Sequence, residues 1–588
     1  MNTPSILSAI HKLRELLTRE EKIKWCWMVL FALTTSFLEI TTAYIIMVFA
    51  QVLNQPDIGL KYLIKFGFSK ETSAGRVVFY IAITVGVVYL IKNLIAVIEV
   101  FFQNFTIQKM NYTFKNKLLH RYAIADYGFY LTRNSSVGMQ VVGGDAEHIF
   151  STGMISIASI LSEGVIFISL VGMIIYMDPS LALTIFAIAG VVSMVITKGL
   201  LPRFYKFGKK LQEAAGYSGK NLLQFFHGFK EIVLLGKREF FIEAYQIHSR
   251  KKSNIQAMQT SLNALPRMVI EVLFIGLFVT MIAVLCKEHE SPVQMIGILG
   301  AYLYAGFRLM PGLNRIINHL NNFKAIIPSI ERVHQEYIMI AAKENYIDVP
   351  EFQFNTNIEL QNICFKYLNT STDALSNISF KINKGESIGI VGETGSGKST
   401  LVDLMLGLLK PYIGSILVDG KYPVNAYQWH QKLGYVPQRI YLTDDTIEKN
   451  IAFGEQEINQ DKLNVAIDAA QLRKFIDTLP KGSKTMVGER GIRLSGGESQ
   501  RIAIARALYH NPEVLIFDES TSALDNETES RLMETIYSVS KARTVIMIAH
   551  RLTTLKNCDR IVVMEEGKIK KVTNYNMLIS DNKNYVSS

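Results

Sequence analysis

At 588 residues the chain is long enough for several domains, and 49% of it is apolar. A net charge of +11 could point to nucleic acid, but beside so many apolar runs the excess of Lys and Arg fits loops facing anionic lipid, and no nucleic-acid partner is expected. Four cysteines, Cys26, Cys286, Cys364 and Cys558, lie scattered without metal-ligand spacing, which excludes a disulfide framework and a zinc site and places the soluble part in a reducing cytoplasm.

The amino terminus carries Lys12, Arg14, Arg19, Lys22 and Lys24 before its first apolar run, too long and polar a stretch for a cleaved signal peptide. It is expected to stay inside. Apolar runs of spanning length follow near Trp25 to Leu53, Val77 to Phe102, Met154 to Met177, Leu181 to Leu201, Val269 to Leu285 and Val293 to Leu313. Six spans return the chain to its starting side, so both termini and the second half belong in the cytoplasm.

The connections are unequal. Asp178-Pro179-Ser180 and the residues around Lys287 to Pro292 are short outer turns, whereas about 50 residues separate spans two and three and about 65 separate spans four and five. Those long connections are polar but helix-forming, so the spans continue into the cytoplasm as long helices. Their tips, Asp126 to Asn134 and Phe225 to Glu231, read either as short helices that dock on the soluble domain or as solvated loops. In the first outer loop, Asn54 to Arg76, the residues Ile58, Tyr62, Leu63 and Phe66 fall at helical spacing. They predict an amphipathic helix in the outer membrane interface, or a plain surface helix.

Charges inside the spans each cost about 3 kcal/mol at mid-membrane, so Lys92, Arg267, Arg308 and Arg315 need partners or water. Arg308 and Arg315 are seven apart on one helix face with no acidic residue in their span. A line of guanidinium groups suits phosphate or pyrophosphate. Lys92 has Glu99 seven residues on and Arg267 has Glu271 four residues on, so neutralisation within each helix is the alternative for those two. Glu39 and Glu163 receive no role.

A polar linker, Ala341 to Asn357 with Pro350, divides a membrane domain over 1–340 from a soluble α/β domain over 341–588. In the second half, strand-like SIGIV leads into Gly392, Glu393, Thr394, Gly395, Ser396, Gly397, Lys398, Ser399 and Thr400, followed by helical LVDLMLGLL. The glycines let backbone amides close around a triphosphate, Lys398 reaches its terminal phosphates, and the Ser399 hydroxyl is placed for magnesium. Tyr367, upstream, either stacks on a base or packs; Gln438, ending LGYVPQ, could reach magnesium and the attacking water. Ser495, Gly496 and Gly497 in LSGGESQ open a helix as a second phosphate-binding element, about 100 residues from the first. One nucleotide does not comfortably need both. The strand VLIF ends in Asp518, a carboxylate for magnesium, and Glu519, placed to polarise water; SALD and, after another strand, His550 complete the series.

In this order the motifs resemble the nucleotide-binding domain of ATP-binding cassette proteins, over residues 356 to about 575. The resemblance implies ATP and Mg2+ as cofactors, Tyr367 as the adenine-stacking residue, Asp518 and Ser399 on magnesium, Glu519 as catalytic base, and His550 on the γ-phosphate. TMVGERG, with Glu489, resembles the segment that meets the membrane half in exporters. Glu498 stands where this family's signature commonly has glutamine. Because in this family the signature of one domain covers the P-loop nucleotide of another, one copy of each implies a homodimer.

The implied architecture is a polytopic α-helical membrane domain with six transmembrane helices of exporter type, followed by an α/β P-loop ATPase domain. LPRMVIEVLFIG and YAGFRLMPGLNRII further resemble bacterial flippases for lipid-linked oligosaccharides. That likeness implies that Arg267, Arg308 and Arg315 face a substrate pyrophosphate, with Lys92 where an arginine would be expected. The expected function is therefore an ATP-driven flippase for a polyprenyl-pyrophosphate-linked oligosaccharide in the bilayer of a bacterial inner membrane. The alternative is a general exporter of lipid A-like lipids or amphipathic drugs.

Overall fold

The computed structural model describes residues 4–65, 67, 69, 73–177, 196–288, 292–340, 347–368, 370–519, 534, 543–549 and 551–581. The chain forms two compact units, 1–123 with 134–342, and 124–133 with 343–588. The segment 124–133, read from sequence as part of the membrane half, thus belongs with the second unit.

The first unit is helical: α1 (Ile6–Leu16), α2 (Arg19–Asn54), α3 (Pro56–Lys65) and α4 (Ala74–Ala123). After α5 (Tyr127–Leu131), which lies in the second unit, come α6 (Ser135–Gln140), α7 (Ala146–His148) and α8 (Ile155–Met177), joined by π-helical turns at Val141–Asp145 and Ile149–Met154. The run closes with α9 (Leu201–His227), α10 (Phe229–Leu234), α11 (Arg238–Glu288) and α12 (Pro292–Met339). Among the described residues four helical runs are long and apolar enough to cross a membrane: Arg19–Leu53, Ala74–Ala123, Ser135–Ser169 and Arg238–Thr280. The expected fourth span falls mostly on residues outside those described. The expected sixth coincides with the start of α12, where only the backbone is described up to residue 308.

At 1.5 Å per residue the 50 residues of α4 extend about 75 Å, more than twice the ~30 Å of a bilayer's hydrocarbon. The long connections are therefore helical extensions, and short helices α5 and α10 stand at their tips. Asp126 caps α5 by accepting from the Gly128 amide at 2.9 Å, and Gly228 interrupts the chain between α9 and α10. The helix expected in the first outer loop forms as α3. Its Leu63 is buried with Val48 and Val52 of α2 and Val77 and Ile81 of α4, so α3 is packed onto the bundle rather than free-standing. Phe66 lies outside the described residues.

Two features fix the extensions. Where α9 crosses α12, a side chain at Gly208 would place its Cβ 1.7 Å from the Ala325 carbonyl oxygen, so only glycine allows the approach. Nearby, buried Asp145 of the first π-turn accepts from Ser329 Oγ at 2.8 Å and Arg332 Nε at 2.5 Å, both of α12, and from Gln212 of α9 at 3.4 Å.

In the second unit, β1 (Asn357–Phe365), β2 (Leu375–Asn383), β4 (Ile413–Val418) and β5 (Tyr422–Pro423) make an antiparallel sheet in the order β2-β1-β4-β5. The larger sheet holds β3 (Ser387–Gly392), β6 (Leu433–Val436), β7 (Val514–Asp518), β8 (Thr544–Ile548), β9 (Arg560–Glu565) and β10 (Lys568–Thr573), in the order β10-β9-β3-β8-β7-β6. All of its pairings are parallel except that of β9 with β10. A parallel sheet is covered on both faces, and here the alternation is explicit. Val514 and Ile516 of β7 enter one core, with Leu401, Val402, Leu404 and Met405 of α13 (Lys398–Met405). Leu515 and Phe517 enter the other, with Ile502, Ala503, Ile504 and Ala505 of α14 (Gly496–Tyr509). The two candidate phosphate-binding helices therefore lie on opposite faces of one sheet.

Candidate functional site

The glycine-rich loop leaves β3 and enters α13, the strand-loop-helix context that the motif requires. Gly397, the residue before the helix, has φ 97°, and a Cβ there would lie 2.7 Å from Leu375 Cδ2. A larger residue would be both strained and obstructed. Lys398 is buried, and its ammonium donates at 2.8 Å to the carbonyls of Gly392 and Glu393, closing the loop around its own side chain. Burial lowers its pKa, opposed by the carboxylates of Glu519 and Asp518. Ser399 is exposed in the first turn of α13. Ser396 is buried, its hydroxyl without a partner among the described residues. Tyr367 packs edge-on against Phe365, ring centroids 5.0 Å apart, and its hydroxyl is 2.9 Å from Thr400 Oγ1.

Asp518 closes β7 and is 7% exposed. Its Oδ2 accepts from Tyr435 on β6 at 3.4 Å, while Oδ1 is buried with no partner among the described residues. Burial first, then the neighbouring Glu519, raises its pKa. The same carboxylate, after burial, pushes Asp403 of α13 up to about 6. Glu519 sits at φ 49°, a left-handed conformation that a glutamate adopts at a cost of about 1 kcal/mol, anchored by its amide to the Ile548 carbonyl at 3.0 Å. Gln438 donates through its side-chain amide to the Glu519 carboxylate. The structure thus brings Lys398, Asp518, Glu519 and Gln438 together at the ends of β3, β6 and β7. Asp403 and Tyr435 belong to the same neighbourhood, although the sequence reading assigned them nothing. His550 and the SALD residues lie outside the described residues.

The surplus of carboxylate, with one buried acceptor oxygen unpartnered, fits a divalent cation. Among the described residues no group of three His, Cys, Asp or Glu converges to hold a metal.

Ser495 caps α14, accepting from the Glu498 amide at 3.3 Å while the Glu498 carboxylate accepts from the Ser495 amide at 2.7 Å. Glu498, the departure noted in the signature, therefore completes a capping box, and its S-x-x-E spacing was the available signal. α5 lies beside the nucleotide motifs: burial, and then the carboxylate of Asp403 and the phenol of Tyr367, raise the pKa of Tyr127.

Three of the charges in the spans have carboxylate partners. Arg315 forks onto Glu163 of α8, Nε to Oε1 at 2.7 Å and NH2 to Oε2 at 3.0 Å. Lys92 pairs with Glu39 of α2 at 2.9 Å, both side chains nearly buried, while Glu99 accepts instead from Ser162 at 3.2 Å. Seven residues along a helix is about 10 Å, too far for Lys92 and Glu99 to meet. Arg267 bonds Glu271, one turn on, at 2.7 Å. Arg315, Lys92 and Arg267 are thus ion-paired within the chain; the side chain of Arg308 lies outside the described residues.

Comparison with known proteins places these elements. The "ABC transporter transmembrane region" model matches residues 25–303, "ABC transporter" matches 375–522 and "P-loop domain" matches 458–587. The chain is 31% identical over 429 residues, 72% of this chain and 73% of the other, to the ATP-dependent lipid A-core flippase of Photobacterium profundum. To the protein of the same name from Idiomarina loihiensis it is 29% identical over 527 residues, 87% of this chain and 88% of the other. In fold it matches a bacterial Atm1-family ABC exporter with ATP bound, TM-score 0.75 at 24% identity, covering 95% of this chain and 96% of that one. Membrane helices, P-loop, signature helix and strand-end carboxylates therefore have a single account: this chain belongs to the ABC transporter family, as a membrane-spanning exporter that couples ATP hydrolysis to transport.

Proposed function

We propose that this exporter is an ATP-driven flippase for a lipid A-core type glycolipid, working as a homodimer in a bacterial inner membrane with its ATPase units in the cytoplasm. The observation that carries this choice over a polyprenyl-pyrophosphate substrate is the likeness, over most of the chain, to relatives named ATP-dependent lipid A-core flippases.

In this reading Lys398, Ser399 and the amides of Gly392 to Thr400 hold the phosphates, Tyr367 faces the adenine, and Ser399, Gln438 and Asp518 hold magnesium. Magnesium, when bound, offsets charge on the phosphate oxygens. Glu519 accepts a proton from the attacking water, and Gln438, already bonded to that carboxylate, holds it in position. His550 contacts the terminal phosphate. Ser495, Gly496 and Gly497, on the far face of the sheet from the P-loop, serve the nucleotide of the second copy. Closure around two nucleotides turns the membrane helices outward, and hydrolysis resets them.

The test is transport in proteoliposomes with three cargoes: lipid A bearing core sugars, an undecaprenyl-pyrophosphate-linked oligosaccharide, and an amphipathic drug. Wild-type protein is expected to flip the first with stimulated ATP hydrolysis, and Glu519→Gln to bind ATP with turnover reduced at least 100-fold. Movement of the polyprenyl-linked sugar alone would return that substrate to first place, and undiminished hydrolysis by Glu519→Gln would remove the carboxylate from its role.

A further inference from the structure

Along α12 lies a row of asparagines that neither the nucleotide chemistry nor the ion pairs use. Asn314, Asn318 and Asn321 follow at i, i+4 and i+7, on one helix face. The carboxamide oxygen of each is buried without a hydrogen-bond partner among the described residues. Asn321 is fully buried, and its amide nitrogen donates to Asn263 Oδ1 of α11 at 3.0 Å. Asn263 in turn donates to Asn322 at 3.0 Å, so the oxygens of these two are already accepting, and the spare acceptors are those of Asn314, Asn318 and Asn321.

An unpartnered buried carbonyl costs roughly 1–3 kcal/mol, and more where the surroundings are hydrocarbon. Structural asparagines in a helix bundle close their bonds on one another, as Asn263 and Asn322 do. Three spare acceptors in register on one face instead match a ligand that brings donors. Carboxamides carry no net charge, so they do not select for phosphate. They accept from hydroxyl groups and can donate back to them, the pairing that a sugar offers.

We propose that the Asn314, Asn318 and Asn321 face of α12 is a headgroup subsite that takes the hydroxyl groups of a sugar-bearing lipid. This rests on the lipid-flippase reading and narrows it, because the subsite contributes selectivity for sugar over bare phosphate. A lipid A core and a polyprenyl-linked oligosaccharide present the same hydroxyl chemistry, so both are used as probes.

The full-length protein in nanodiscs would be titrated with lipid A bearing core sugars, with an undecaprenyl-pyrophosphate-linked disaccharide, and with dipalmitoyl phosphatidic acid, which has acyl chains and phosphate but no sugar. The readout is the lipid concentration that half-maximally stimulates ATP hydrolysis, with thermal melting in detergent measured alongside. For Asn314→Ala/Asn318→Ala the half-maximal concentration is expected to rise about tenfold for whichever glycolipid stimulates wild type, to stay within twofold for phosphatidic acid, and the melting temperature to hold or rise. The glycolipid that responds identifies the source of the sugar. An equal loss for phosphatidic acid, or a melting temperature several degrees lower, would make the row structural and overturn the subsite. Unchanged glycolipid response in the variant would overturn the subsite while leaving the flippase reading intact. Absence of stimulation of wild type by all three lipids would overturn the flippase reading and the subsite with it.

Discussion

Asp403 shows how a residue with no place in any motif can register in the energetics of the site. Its carboxyl is pushed up to about 6 by burial and then by Asp518. Between about pH 4 and pH 6 the folded chain therefore holds a proton that the unfolded chain has released, and stability falls as pH rises through that window. That rise corresponds to roughly 3 kcal/mol, which partial exposure reduces to about 1–2 kcal/mol. Asp403→Asn, melted as the full chain without magnesium or nucleotide, is expected to gain about 2–4 °C at pH 7.5 and close to nothing at pH 4. An equal gain at both pH values would mean that the side chain acts through packing rather than charge.

Among the elements, α9 and α12 are fixed by the contact between Gly208 and the Ala325 backbone. Gly208→Val is expected to force the helices apart, costing several kcal/mol and appearing as a lower melting temperature with ATP hydrolysis no longer stimulated by lipid. A variant that melts and couples normally would show that the crossing relaxes freely. Such contacts mark the limit of what was legible in the chain. Local signals were readable: GETGSGKST, the alternating strand VLIFD and the helix over Ile58 to Leu63 each lie within one short segment whose periodicity determines its form. The Arg267–Glu271 pair was readable for the same reason, one turn being four residues. The partners of Lys92 and Arg315 were not, because Glu39 and Glu163 come from other helices and periodicity within one span carries no information about its neighbours. That α5 belongs with the soluble domain was readable as one of two alternatives from the aromatic and glycine content of Asp126 to Asn134, whereas its packing beside Asp403 and Tyr367 is a relation that no spacing encodes.

At the scale of the whole molecule, the homodimer reading makes each ATP site a composite of two chains. Lys398→Ala and Gly497→Asp were each chosen to disable one half of such a site. Placed in separate chains that co-assemble, they confine both defects to one site and leave the other intact, so about half of wild-type hydrolysis is expected. Placed together in one chain and assembled with a wild-type partner, they damage both sites and leave less than a tenth. The reverse result, about half of wild-type hydrolysis with both changes in one chain and less than a tenth with them in separate chains, would mean that each nucleotide is served by motifs of a single chain.

The larger sheet of the second unit separates its two phosphate-binding helices, with α13 packed into one core and α14 into the other. On the proposed homodimer, a solitary copy would own both halves of an active centre and could bring neither to the other. Catalytic capacity would then belong to an encounter rather than to a polypeptide, and the turnover measured per milligram would become a function of dilution. In the bilayer, where diffusion is confined to two dimensions, the local density of copies would set how much ATP this protein consumes.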